Sequence, residues 1–99
     1  MKTITQKELN IAIKLHAFWI HGLSNGVRLK LSGYNLINNN FRGCDLRGSD
    51  LSHCIISSSS LNLANLGDAY LKDVNFIGKH PTVNFNGAYL GGATFTQGV

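Results

Sequence analysis

An apolar residue returns at every fifth position through the central part of this 99-residue chain. Neither an α-helix, with about 3.6 residues per turn, nor a β-strand, with a period of about two, places such residues on one face. A backbone that turns a corner every five residues does, and four such units would close one coil. The apolar centres are Leu31, Leu36, Phe41, Leu46, Leu51, Ile56, Leu61, Leu66, Leu71 and Phe76, followed after an irregular stretch at 79–82 by Phe85, Leu90 and Phe95.

A small residue stands two positions before most centres, and a polar residue, often Asn or Asp, stands between them. The stretches Cys44–Gly48, Ser49–Ser52 and Ala64–Leu66 carry this pattern, and they resemble the repeat unit of pentapeptide-repeat proteins. The resemblance extends over residues 29–97. It implies an all-β solenoid, a right-handed quadrilateral β-helix of about three coils, in which large and small inward side chains fill the interior together.

The first coil departs from this pattern, because large side chains stand where the repeat has small ones. These residues are Leu29, Tyr34 and Asn39, and we expect that coil to be irregular. The run Ser57–Ser60 is interpreted as repeat filling, with Ser59 at the inward small position.

An amphipathic helix is predicted over residues 5–22, ahead of the repeats. Thr5 and Glu8 have the spacing of a capping box, Ile4 and Leu9 that of a hydrophobic staple, and glycines follow the apolar stripe. We expect the helix to cap the first coil, because an uncapped solenoid exposes backbone and apolar side chains. We expect Trp19 to lie in the core, and we expect the residues that flank the stripe, Ile11, Leu15 and Phe18, to pack on residues 27–34. The stripe itself consists of Leu9, Ala12, Ile13, His16, Trp19, Ile20 and Leu23.

No comparable cap is evident after the last repeat, and residues 1–99 are expected to form a single domain. A bare last coil favours pairing with a second copy of the chain. We therefore predict an end-to-end homodimer whose seam includes Tyr89, Leu90 and Phe95.

Positive charge is concentrated in the first half of the chain. Residues 1–47 hold seven Lys and Arg against two carboxylates, whereas residues 48–99 hold two against three. No stretch has the length and apolar character of a membrane span or a secretory leader. We expect a soluble cytoplasmic protein without a membrane partner.

Candidate catalytic and metal-binding groups do not converge in the sequence. His16 and His21 are five residues apart, and Cys44 and Cys54 lack zinc-site spacing, so they are expected to be reduced thiols. A repeat exterior also lacks a deep cleft. We therefore expect no enzymatic activity, no metal and no cofactor.

Two outward surfaces are candidate partner-binding sites. One is an uncharged face with Ile37, Ile55 and Ile77, which we call the isoleucine face. The other, the basic rim, comprises Arg28, Lys30, Arg42 and Arg47.

A non-catalytic protein-binding module is the favoured function. Its resemblance to small repeat proteins of phages and prophages implies an inhibitor that covers a partner, such as a bacterial CRISPR or restriction complex. A first alternative is nucleic-acid binding by the basic half, although the candidate exposed aromatics, Tyr70 and Tyr89, stand in the other half of the sequence. A second is the duplex-DNA mimicry by which some family members occupy DNA gyrase. The net charge of +4 disfavours this mimicry.

Overall fold

The structure, a computed structural model, describes residues 1–79 and 82–96. It begins with helix α1 (Gln6–Ile20), which is followed by four short strands, and a 3-10 turn (Ser58–Leu61) follows the second strand. The strands are β1 (Asn35–Leu36), β2 (Ile55–Ser57), β3 (Asn75–Ile77) and β4 (Thr94–Thr96).

All four strands pair in parallel in the order β1-β2-β3-β4. Their register places Leu36 beside Ile56, Ile56 beside Phe76, and Phe76 beside Phe95. The step between partners is therefore twenty residues twice and then nineteen, as the apolar period predicts. The shortened step spans the irregular stretch 79–82, of which His80 and Pro81 lie outside the described residues.

Parallel pairing between successive coils recurs on the other sides of the chain. Isolated bridges join Asp45 to Asn65 and Asn65 to Asn84. A third ladder consists of Lys30, Asp50, Tyr70 and Tyr89. On a fourth side, the Phe41 amide donates to the Ser60 carbonyl at 2.9 Å and the Leu63 amide to the Thr82 carbonyl at 2.6 Å. The repeats thus form a β-solenoid.

Most corners are tight turns that start at an apolar centre. The amide three residues after the centre donates to the centre's carbonyl, as from Ser49 to Leu46 at 3.1 Å. At most of these corners the residue before that amide has a positive φ, the conformation of the third residue in a type II turn, and Asn38 is an exception. Gly48 supplies it with φ 70°, since glycine adopts this region without steric cost.

The polar residue before a centre stabilises the same corner. Its side-chain oxygen accepts the amide two residues later, as Asn65 Oδ1 does from Gly67 at 2.9 Å and Asp50 Oδ1 from Ser52 at 3.1 Å. This short side-chain bond is the Asx turn for which Asn and Asp are suited. The preference for Asn and Asp in the repeat therefore has a local cause.

The core is a column of apolar centres, and those from Leu31 to Phe76 are all buried. The serine run breaks the expected order, because Ser58–Leu61 forms a 3-10 turn. Ser58 is buried and Ser59 is exposed. The prediction that Ser59 points inward is wrong, since the tighter turn moves the inward position back by one residue.

Helix α1 begins at the predicted capping box and ends at Ile20, two residues before the predicted end at Gly22. The Thr5 hydroxyl accepts the Glu8 amide, and the Glu8 carboxylate accepts the Thr5 amide, which confirms the capping box. At the other end Gly22 has φ 71°, and the Leu23 amide donates to Phe18 in a Schellman-type closure.

The helix is fixed to the first two coils by polar contacts that are largely buried. His16 is fully buried; its Nδ1 accepts the Leu29 amide at 2.8 Å, and its Nε2 donates to the Arg47 carbonyl at 2.8 Å. Asn39 donates to the Ile4 carbonyl at 3.0 Å. The first coil keeps the regular turn bond from Tyr34 to Leu31. The turn from Leu36 to Asn39 departs from the regular form, since Asn38 lacks the positive φ of Gly33 and Gly43, so the expected irregularity of the first coil is confined in its backbone to this turn.

Candidate protein-binding surfaces

The isoleucine face is the outer surface of the four-stranded sheet. In the sheet register Ile55 lies between Asn35 and Asn75, while Ile77 pairs with Ser57. Ile37 follows β1 directly and is 39 % exposed, whereas Ile55 and Ile77 are half-buried. The strands place the three isoleucines on one surface without a charged side chain.

Hydroxyl and amide groups separate these isoleucines and are partly bonded to one another. Asn75 Oδ1 accepts the Thr94 hydroxyl at 3.2 Å and the Thr96 hydroxyl at 3.0 Å. The resulting surface is flat, mixed apolar and neutral polar in character, and free of charge over β1 to β4.

The four residues of the basic rim lie in different surroundings. Arg47 pairs with Asp45 at 2.7 Å, and hydrogen bonds from the Arg47 side chain lower the pKa of that carboxyl. Arg28 Nε donates to the Gly48 carbonyl at 2.7 Å. Lys30 and Arg42 are both exposed. Lys30 lies on the ladder with Asp50, whereas Arg42 lies on the side of the solenoid that pairs with residues 60–62. Among the described residues, Arg47 alone of the four is in an ion pair.

Arg28 also lies between aromatic rings, an arrangement that was missed from the sequence. Its guanidinium carbon is 4.8 Å from the centre of the Tyr70 ring and 5.9 Å from that of Trp19. Tyr70 in turn stacks on Tyr89, with ring centres 4.9 Å apart and planes at 6°. We call Trp19, Arg28, Tyr70 and Tyr89 the aromatic cluster.

Two predictions are corrected by this cluster. Trp19 was expected in the core, but it is 41 % exposed and stacks on the buried His16 ring at 5.3 Å. The basic half was expected to lack aromatic neighbours, yet Tyr70 contacts Arg28. The repeat period predicts one part of this cluster, the pairing of the two tyrosines. Tyr89 stands nineteen residues after Tyr70 and therefore lies on the same ladder.

Gly48 provides the space in which this cluster assembles. A Cβ at this position would lie 3.2 Å from two atoms of the Trp19 ring. Shallow grooves meet at Trp19: one of about 590 Å³ runs between α1 and residues 26–31, and one of about 290 Å³ borders Gly48, Asp68 and the two tyrosines.

The repeats of this solenoid match a known protein family. The family model for pentapeptide repeats matches residues 28–58 with 8 copies. The chain is a pentapeptide-repeat protein. Pentapeptide-repeat proteins are generally non-enzymatic interaction modules. A search of the curated proteins finds no match for the sequence.

The two cysteines of this pentapeptide-repeat protein are free thiols, Cys54 buried and Cys44 half-buried. Cys54 Sγ donates to the Leu31 carbonyl at 2.9 Å, and burial raises its pKa to about 11. Burial likewise raises the pKa of Cys44. Residues 1–79 and 82–96 contain no group of three potential metal ligands, and no helix among them is long and apolar enough to cross a membrane.

The predicted dimer seam lies in the last coil of the pentapeptide-repeat protein. Tyr89 is exposed on the outer side, while Leu90 and Phe95 are partly buried inside it. Phe95 stacks on Phe76 with ring centres 4.7 Å apart. Residues 97–99 lie outside the described residues. The end-to-end homodimer stays a prediction, which light scattering would contradict by returning the 10.8 kDa monomer mass at high concentration.

Proposed function

We propose that this pentapeptide-repeat protein is an inhibitor that binds a protein partner and acts by covering part of its surface. The observation that carries the proposal is the isoleucine face on the parallel sheet β1 to β4. A flat sheet without charged side chains can be covered by another protein without the cost of burying unpaired ions. Ile37, Ile55 and Ile77 would contribute the apolar contacts.

The architecture behind the proposal is a single domain over residues 1–99. In more detail, we propose that this domain is a right-handed quadrilateral β-helix of about three coils. The twenty-residue step between paired strand residues supports this geometry. Such a rod presents its sides as rigid surfaces, which favours binding because little conformational freedom is lost.

The partner class is proposed from resemblance to the small repeat proteins of phages and prophages. It is a bacterial cytoplasmic defence complex of the CRISPR or restriction type. This pentapeptide-repeat protein would block such a complex by occupying the surface that it uses for its target.

Quantitative affinity capture from a bacterial lysate, followed by assay of the captured complex, tests the proposal. The wild type should retain a protein and inhibit its activity, whereas Ile55→Lys should lose both because the substitution introduces a charge on the contact surface. Leu63→Lys is the matched control, since Leu63 is an exposed aliphatic residue on another side of the solenoid. Equal inhibition by the wild type and Ile55→Lys would exclude the isoleucine face as the inhibitory surface.

Nucleic-acid binding by the basic half is a second candidate function. It is favoured by the excess of positive charge in residues 1–47, where seven Lys and Arg stand against two carboxylates, since cations neutralise the phosphate backbone. A gel-shift assay tests it. Wild-type binding should weaken steeply with salt and fall further in an Arg42→Glu, Arg47→Glu double variant.

A further inference from the structure

We infer that the aromatic cluster is a second docking site, and that it takes an acidic peptide segment of a protein partner. It lies on the ladder of Lys30, Asp50, Tyr70 and Tyr89, whereas the isoleucine face lies on the sheet. The inference therefore goes beyond the proposed function, and each surface can be disabled without changing the other.

The cluster is held in place before any partner arrives. Arg28 is fixed by its bond to the Gly48 carbonyl, and its guanidinium rests on Tyr70. Trp19 is backed by the His16 ring, whose two nitrogens are both hydrogen-bonded. A partner would therefore meet side chains that are already ordered, which removes much of the usual entropic cost of binding.

The residue types are those that dominate protein interfaces. Trp, Tyr and Arg account for most of the positions at which truncation weakens binding strongly. Here Trp19, Tyr70 and Tyr89 are 41 %, 43 % and 57 % exposed, although all three are large aromatic residues. Three exposed aromatic rings beside one arginine form a compact apolar patch on an otherwise polar ladder.

The adjoining groove indicates what the bound segment would present. It is lined by apolar groups of Ala12, Leu15 and Val27, and it shares Trp19 and Arg28 with the smaller groove beside the tyrosines. An apolar side chain can enter the first groove while a neighbouring group reaches Arg28.

Charge identifies that neighbouring group as a carboxylate. Among the described residues, no carboxylate lies within ion-pair distance of Arg28 or Lys30. The Asp50 carboxylate next to Lys30 instead accepts the Ser52 hydroxyl at 2.6 Å. The two cations are thus available to an acidic segment, and a bidentate carboxylate contact is the geometry that arginine favours.

The same observations favour a peptide over a single-stranded nucleic acid. Tyr70 is flanked by Arg28 from the first coil and by Tyr89 from the last, so its ring faces are occupied and its edge remains for contact. Bases need free faces on which to stack. Asp68 also borders the smaller groove beside Gly48, where it would repel a continuous phosphate backbone, whereas a single peptide carboxylate can reach Arg28 and Lys30 from the first groove.

Selection from a random peptide display library on the immobilised wild-type protein tests the inference. Selected peptides should combine an acidic residue with a nearby apolar one. When titrated in solution they should change the fluorescence of Trp19, the single tryptophan of the chain. Affinity should fall by about tenfold or more in Arg28→Gln and in Tyr89→Ala. The second variant removes an exposed ring that makes no polar contact with α1, and circular dichroism establishes that both variants are folded.

Ile55→Lys is the control, because it alters the isoleucine face and should leave peptide affinity unchanged. Failure to select any peptide, or peptides that bind the two cluster variants as tightly as the wild type, would overturn the inference. So would a fluorescent oligothymidylate that binds in an Arg28-dependent way while the peptides do not. Neither result affects the inhibition assay for the isoleucine face.

Discussion

The first and last coils of the solenoid share one repeat but differ in how their apolar centres are covered. Leu36 and Phe41 of the first coil are 0 % exposed beneath helix α1, whereas Phe85 and Leu90 of the last described coil are only partly buried. A five-residue repeat therefore fills the interior along the rod, but covering an end needs a separate element. At the first coil that element also positions Trp19 for the aromatic cluster.

The largest expected effect comes from emptying the core beneath the cap. Phe41→Ala should lower the free energy of unfolding by about 3–5 kcal/mol, because it removes a fully buried ring from a packed interior. Phe95→Ala should cost less than half as much, since that ring is partly exposed. Urea denaturation measures both. Equal losses would mean that the two ends are equally well covered.

The attachment of the cap can be broken at His16. Replacing it with Ala leaves the Leu29 amide and the Arg47 carbonyl without their partner and opens a cavity, so we expect a loss of about 3 kcal/mol. The control is His21→Ala, because His21 is exposed at the end of the helix. The same denaturation assay applies, and similar stabilities for the two variants would contradict the buried role of His16.

The same histidine makes stability depend on pH. Burial lowers the pKa of His16 in the folded protein, so the unfolded chain, with a histidine pKa of about 6.5, takes up the proton first as pH falls. Its contribution is present above the unfolded pKa and is lost as the pH falls below about 6.5. Unfolding curves across this range should show the decline in the wild type and a weaker one in His16→Gln. An identical pH dependence in both proteins would rule out His16 as its source.

The smallest expected effect comes from a buried hydroxyl. Ser49 Oγ has no hydrogen-bond partner among residues 1–79 and 82–96, and its ladder neighbour is Ala69. Ser49→Ala should therefore raise the free energy of unfolding by about 1 kcal/mol, because an unpaired buried hydroxyl is costly. Ser59→Ala, at an exposed position, is the control and should change little. A destabilised Ser49→Ala protein would indicate a bonded hydroxyl.

Much of the fold was predictable because it repeats local chemistry. The apolar period fixed the ladder partners of Leu36 and Leu46, and Thr5 with Glu8 fixed the start of the helix. The 3-10 turn at Ser58 was not predictable in this way, because four serines satisfy the repeat in either register. The aromatic cluster was missed because it depends on contacts between Trp19, Arg28 and Tyr70, which are far apart in the sequence.

Amide hydrogen exchange tests the central claim, that helix α1 is an integral cap of the solenoid, most directly. The Leu29 amide, which donates to His16, should exchange as slowly as the Leu51 amide in the second coil. The Thr94 amide in the last coil should exchange faster, since fewer contacts cover it. If Leu29 exchanges faster than Thr94 while Leu51 stays protected, the helix separates from the solenoid by itself and the claim is wrong.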